Sequence, residues 1–179
     1  RSSLNRRERS CAEVRRSPPG RTRRSATMRR VRRCCGAYTP LTGFMTEADW
    51  RGCCIDMKTA DGLFWPIPIT LSCESDLADG ITVGDEVALV DAAGTIFGTL
   101  EVAEKYVIDR AFECSHVYRT TDVAHAGVEK VMRQGTVNLA GPVIALNEGQ
   151  YAKTYPGLYY RPAETRALFQ DQGWTTVAA

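Results

Sequence analysis

Cys114-Ser115-His116, with His125 downstream, brings three groups able to ligate a metal or attack an electrophile into one short stretch. A structural zinc site takes four ligands at characteristic spacings, and this spacing matches none of them. A Cys–His nucleophile needs a third group to orient the imidazole, and the sequence offers no candidate. Cys114 and His116 stand two apart, as on a strand, so the expectation is a polar stretch beside a core strand. Just beyond, Tyr118-Arg119-Thr120-Thr121-Asp122 packs hydroxyls, a cation and a carboxylate together. Such a run reads most simply as a turn in which Thr121 or Asp122 caps the following helix. Arg161 and Arg166 could meet an anion, and Arg166 could equally pair with an acid on the body. Asp85-Glu86 and Glu101/Glu104 are expected on solvated strand faces. Trp50, Trp65 and Trp174 lie beside apolar residues and are expected as core anchors.

Phosphate handling calls for backbone N–H groups at a helix N-terminus, usually behind a glycine-rich loop. Neither GxGxxG nor GxxxxGK followed by Ser or Thr occurs. Gly80, Gly84, Gly94 and Gly98 are scattered and are expected in turns and bulges. No catalytic, cofactor-binding or metal-binding residue is therefore assigned.

The elements that would position these groups are short. Thr46-Glu47-Ala48-Asp49-Trp50 reads as a helix start, with Thr46 as cap and Asp49 in the third helical position as in a capping box. Asp61-Gly62 marks a tight turn before an extended run from Trp65 to Leu71, whose Pro66 and Pro68 suit an edge. Residues 83–90 and 96–102 are two β runs joined by Asp91-Ala92-Ala93-Gly94, and residues 105–108 prolong them. Residues 128–133 fit a helix stopped by Gly135, and residues 138–146 are again extended. Residues 162–171 fit a last helix, with Pro162 at its first position and Gly173 just past its end. Many short strands with few helices predict a β-rich α+β domain, a small, partly closed barrel with a few short helices. No long βαβ alternation supports a doubly wound nucleotide-binding sheet.

The net charge of +2 averages two unlike parts. Of the 23 basic residues, thirteen are arginines within 1–33, alongside only two of the 21 acids. Residues 34–179 thus hold ten basic against nineteen acidic residues. The arm, residues 1–37, is expected to be disordered because like charges repel. It reads as a nucleic-acid arm, a transit segment, or sequence without selected function, such as a fragment end or an upstream stretch translated out of frame. The last is preferred, because no aromatic residue precedes Tyr38 for base stacking and no apolar helical face accompanies the arginines. The acidic body speaks against nucleic acid as a partner. Seven cysteines, two neighbouring pairs among them and no CxxC, fit reduced thiols and a cytoplasmic setting better than a disulfide framework. No apolar run has membrane-spanning length.

Read in order, Pro40-Leu41-Thr42-Gly43-Phe44-Met45, Asp61-Gly62-Leu63-Phe64-Trp65-Pro66-Ile67-Pro68-Ile69-Thr70-Leu71, Val117-Tyr118-Arg119-Thr120-Thr121-Asp122, Gly141-Pro142-Val143, and Arg161-Pro162-Ala163-Glu164-Thr165-Arg166 through Phe169 to Gly173-Trp174 closely resemble the N-terminal domain of sulfate adenylyltransferases (ATP sulfurylases). The resemblance covers about residues 38–179. It implies a PUA-like barrel over 38–162, and over 163–179 a helix and linker leading to a catalytic domain. It implies a nucleotidyltransferase making adenosine 5′-phosphosulfate and pyrophosphate from ATP and sulfate, in sulfate assimilation or sulfur oxidation. ATP and Mg2+ are implied for the full-length enzyme, as is a homo-oligomer. The nucleotide-binding motifs of that family, a glutamine-arginine-asparagine stretch and an HxxH-type pair, belong to a second domain that would begin after Ala179. No catalytic residue carries over, and the chain by itself is expected to be inactive. A stand-alone PUA-like module, binding RNA or serving as a packing surface, is the alternative. Where the family has His-Pro-Gly this chain has His125-Ala126-Gly127, so a looser helix entry is expected there.

Overall fold

A computed structural model describes residues 13–16, 38–90, 94–146 and 151–177. The elements run β1 (Glu13–Arg16), β2 (Gly43–Phe44), α1 (Glu47–Asp56), β3 (Ser72–Cys73), α2 (Ser75–Asp79), β4 (Glu86–Val90), β5 (Ile96–Glu101), β6 (Glu104–Val107), α3 (Arg110–Val117), α4 (Ala126–Met132), β7 (Val137–Ala145), α5 (Tyr151–Thr154) and α6 (Pro162–Asp171). This is the expected β-rich α+β class.

All strand pairs are antiparallel, and β7 is their hub. On one edge β7 pairs with β6 (Lys105 opposite Leu139) and then with β5 (Thr99 opposite Ile144). On its other edge it pairs with β3 (Ser72 opposite Asn138) and β2 (Gly43 opposite Pro142). β5 continues to β4, and β4 to β1. Among the described strands nothing joins β1 or β4 back to β2 or β3, so the expected barrel closure is not found. The reason is visible at both ends. β2 and β3 have two residues each, and both are used on β7. The outer edge of β4 is taken by β1, whose Val14 stands opposite Leu89. Within the arm, the four residues of β1 form an edge strand on β4. The rest of the arm, and residues 91–93 of the predicted turn, lie outside the described residues.

The hub works because β7 is apolar and changes character midway. Residues 137–140 are buried and residues 141–145 alternate toward solvent. Val137 and Leu139 face the larger core with Leu71, Ile81, Val87 and Leu100, while Ala140 faces a second cluster around Trp50, Tyr106 and Ile108. Each fully buried leucine contributes about 1.5–3 kcal/mol. At the switch, Gly141 has φ 144°, a value that side chains bearing a Cβ rarely adopt. A Cβ there would also strike the Glu101 carbonyl oxygen, and one on Gly43 would strike that of Gly141.

α1 begins as expected. Thr46 caps it by accepting from the Asp49 N–H at 3.2 Å, an interaction worth about 1 kcal/mol. Asp49 accepts from the Thr46 hydroxyl at 3.0 Å and, with its other oxygen, from the Ala60 N–H at 2.9 Å, tying the following turn to the helix. The turn at Asp61-Gly62 sits in a small hairpin bridged from Lys58 to Phe64. Helix C-termini are closed by distant cations: Lys105 Nζ donates to the carbonyls of Ala78 and Ile81, and Arg110 to those of Met132 and Gln134. Arg133 is the C-cap of α4. Gly135 is not the stop expected for that helix; its Cα faces the Cys73 backbone so closely that a Cβ would collide with it. α6 spans the predicted residues, with Pro162 first and Gly173 at φ 66° beyond it.

Gly141→Ala should lower the stability of the fold by about 3 kcal/mol or more, because strained φ and backbone collision act together. Gly157→Ala, at φ 84° with no atom near its Cβ position, should cost only about 1–2 kcal/mol. Urea unfolding midpoints of the two variants compare these costs directly, and equal losses would contradict the hub role of Gly141.

Candidate functional site

The chemistry-bearing stretch lies on α3 and the loop after it. Asp109 caps α3, its Oδ1 accepting from the Phe112 N–H at 2.9 Å. The strand spacing expected for Cys114 and His116 is therefore corrected to helix. The missed signal was Asp109 as a cap followed by Cys114, Val117 and Tyr118 at i, i+3, i+4 spacing. On a helix, residues two apart diverge. Cys114 is fully buried against Val128 and Val131 of α4. His116 turns elsewhere, its ring 4.1 Å from that of Phe112 and its Nδ1 2.8 Å from the Phe112 carbonyl oxygen. A carbonyl only accepts, so Nδ1 donates to it.

In the following loop Arg119 takes φ 58°. Asp122 receives the Ala124 N–H at Oδ1, 2.9 Å, and the His125 N–H at its carbonyl, 3.0 Å. The cap of α4 is His125, whose Nδ1 accepts from the Gly127 N–H at 3.1 Å. The expectation of Thr121 or Asp122 as cap is thus displaced downstream: Asp122 closes the turn and His125 caps the helix. The helix entry at His125-Ala126-Gly127 is capped rather than loose. Tyr118 lies between these parts, its ring 5.1 Å from that of His125. A Cβ on Gly127 would run into the Tyr118 ring.

These residues line a cleft of about 270 Å³, with Met57, Pro66 and Ile67 on one wall and His116, Tyr118 and Arg119 on the other. On α3, Glu113 is buried and accepts from the Trp50 indole N–H at 2.7 Å. Burial pushes the Glu113 carboxyl above the usual range, and the Trp50 hydrogen bond only partly offsets this. Burial pushes the Cys54 thiol up to about 12 and Cys53 to about 11, each helped by a nearby carboxylate. Cys73 and Cys114 move the same way for the same reason. Thiols held protonated are poor nucleophiles and poor ligands. Among the described residues no three His, Cys, Asp or Glu side chains gather as a metal site would require. The four described cysteines are free and buried.

The remaining candidates are structural. Asp85 accepts from the Thr82 N–H and hydroxyl, both at 2.9 Å. Glu104 accepts from the Glu47 N–H at 3.2 Å. Arg161 pairs with Glu164 at 3.3 Å, and the Arg161 N–H donates to the same carboxylate at 2.7 Å. Arg166 is exposed on α6. Of the tryptophans only Trp50 is a core anchor. Trp65 is half-buried beside Tyr38, and Trp174 is 54% exposed against Phe169. α6 buries none of its residues, and Leu168, Trp174 and Val177 leave an apolar surface open. No helix among the described residues is long and apolar enough to cross a membrane.

Residues 24–148 match the model of a family described as PUA-like domain. A sulfate adenylyltransferase from Chlorobaculum tepidum is 54% identical over 145 residues, which are 80% of this chain and 36% of the relative. One from Thiobacillus denitrificans is likewise 54% identical over 145 residues, 80% of this chain and 35% of the relative. The resemblance read from the motifs is borne out. The chain spans little more than a third of the length of these curated relatives. Among solved structures, a hexameric APS kinase from Thiobacillus denitrificans is 29% identical with a TM-score of 0.49, over 78% of this chain and 23% of that one.

Glu113 generates a pH dependence. Its raised native pKa means the folded chain keeps a proton that the unfolded chain releases. Its contribution is therefore fully present below the ordinary carboxylate range and declines as pH rises through that range toward the native value. Glu113→Gln keeps an acceptor for Trp50 and removes the titration. Urea unfolding from pH 4 to pH 8 should show a decline in the parent that is shallower in E113Q, whereas parallel curves would contradict the assignment.

Proposed function

Since this chain belongs to the PUA-like domain family, we propose that it serves as the front, non-catalytic portion of a sulfate adenylyltransferase, the enzyme class that joins ATP and sulfate into adenosine 5′-phosphosulfate and pyrophosphate. The observation that carries this reading is the 54% identity to such enzymes over 80% of the chain. In this reading residues 38–162 are the PUA-like domain and residues 163–179 lead toward the catalytic domain. The assembled enzyme is a homo-oligomer in the cytoplasm, where buried thiols such as Cys53 and Cys54 stay reduced.

ATP and Mg2+ belong to the full-length enzyme. The described residues do not fit them. The cleft at Arg119 has largely apolar walls and one guanidinium, and no acidic cluster is present among the described residues to hold a divalent cation. No step of adenylyl transfer is assigned to this chain. Its role is support, and the exposed apolar surface at Leu168, Trp174 and Val177 favours it. Exposed apolar side chains that join into one patch mark a partner surface. The catalytic domain, packed in cis, is the proposed cover. RNA binding gains nothing from this surface, and the acidic balance of residues 34–179 opposes it.

Replacing the matching segment of the Chlorobaculum tepidum enzyme by residues 38–179 tests the reading. The chimera should release pyrophosphate from ATP and sulfate, while the 179-residue chain alone should not. Trp174→Asp in the chimera should weaken domain packing by about 2 kcal/mol or more, read as a lowered Tm. Turnover by the isolated chain, or a folded but inactive chimera, would refute the proposal.

A further inference from the structure

Met57 and Arg119, at φ 54° and 58°, are the two non-glycine residues with positive φ among the described residues, and both line the same cleft. Each stands at a helix C-terminus, Met57 after α1 and Arg119 just after the Tyr118 cap of α3. That place normally goes to glycine, which takes the left-handed conformation without strain. Here it is held by a thioether and a guanidinium, side chains that glycine would not supply. Strained backbone of this kind gathers where a surface is shaped for a ligand.

The groups on the walls define the ligand. Arg119 makes no hydrogen bond or ion pair with any described residue, so its planar fork of donors is available. Met57 and Ile67 are about half exposed, at 46% and 53%, and with Pro66 and Val117 they form an apolar wall. Methionine adapts its shape to small apolar groups. At about 270 Å³ the cleft is below the usual range for drug-sized ligands. Arg119 carries the one guanidinium among the lining residues, and no carboxylate lines the cleft. One guanidinium balances a single negative charge and not a dianion. Phosphate esters also want N–H groups from a helix N-terminus, and none of the described helices begins at a residue lining the cleft.

We propose that this cleft binds a small monocarboxylate with a short branched apolar chain. Its carboxylate takes both forks of Arg119, and its chain lies against Met57, Ile67 and Val117. This inference stands apart from the adenylyltransferase reading, and neither depends on the other.

The test titrates the 15N-labelled 179-residue chain with 4-methylpentanoate, with 4-methylpentanamide and with inorganic phosphate, following backbone amides by NMR. The carboxylate should shift Met57, Ile67 and Arg119 saturably. The amide should bind about tenfold more weakly for want of the charge, and phosphate should not shift these amides saturably. Arg119→Gly suits the backbone at that position, so the variant should stay folded and lose the preference for carboxylate over amide. Arg119→Lys should keep part of it. Absence of saturable shifts at these residues, equal binding of acid and amide, tighter binding of phosphate, or undiminished preference in Arg119→Gly would each overturn the proposal.

Discussion

The backbone of β7 must find hydrogen-bond partners along both edges while its first half is sealed between two apolar clusters. A buried N–H or C=O left unpaired costs about as much as a lost hydrogen bond. Four short strands meet this demand, two on each side. Their shortness is possible because each has only part of β7 to cover. Where the partners change over, Gly141 lets the chain bend without a side chain in the way. The ladder reaches outward from there to β4 and β1, and α1, α3 and α4 pack on the side marked by Ala140 and Trp50.

A polar thread runs through that second cluster. Asn138 on β7 donates to the Tyr106 hydroxyl at 3.2 Å, which in turn donates to the Met45 carbonyl at 3.1 Å. Trp50 donates to the buried Glu113. In a low-dielectric interior such bonds hold their members in one arrangement, and each lost partner strands another group. β7 and β6 are thereby tied to the segment between β2 and α1, and α1 is tied to α3.

The molecule separates support from chemistry. Its described cysteines are held as thiols by burial, and Asp49, Asp85, Asp109 and Asp122 close turns and helix starts. Among the described residues that stay open are apolar side chains at the chain's last helix and the cleft with the Arg119 guanidinium.

Much was legible in the residues themselves. The Thr46 cap, the Asp61-Gly62 turn, the strand pair 86–90 and 96–101, and the Pro162 start of α6 depend on local backbone chemistry, which sequence carries directly. The order of motifs was enough to point to the family. What sequence left hidden depended on contacts between distant residues. α3 read as a strand because Cys114 and His116 alternate, and only the packing of Cys114 against α4 selects the helical period. Trp174 and Trp50 have similar neighbours in the chain, yet one is open and the other sealed, because burial is decided by what folds over a residue. Gly135 looked like a helix stop until the approach of Cys73 showed it to be a point of contact. The cleft itself joins two αL positions about sixty residues apart, and no local pattern encodes that meeting. Local conformational preference was written in the sequence; the partners that decide burial, closure and the shape of a site were chosen by the assembled chain, because they lie across space rather than along it.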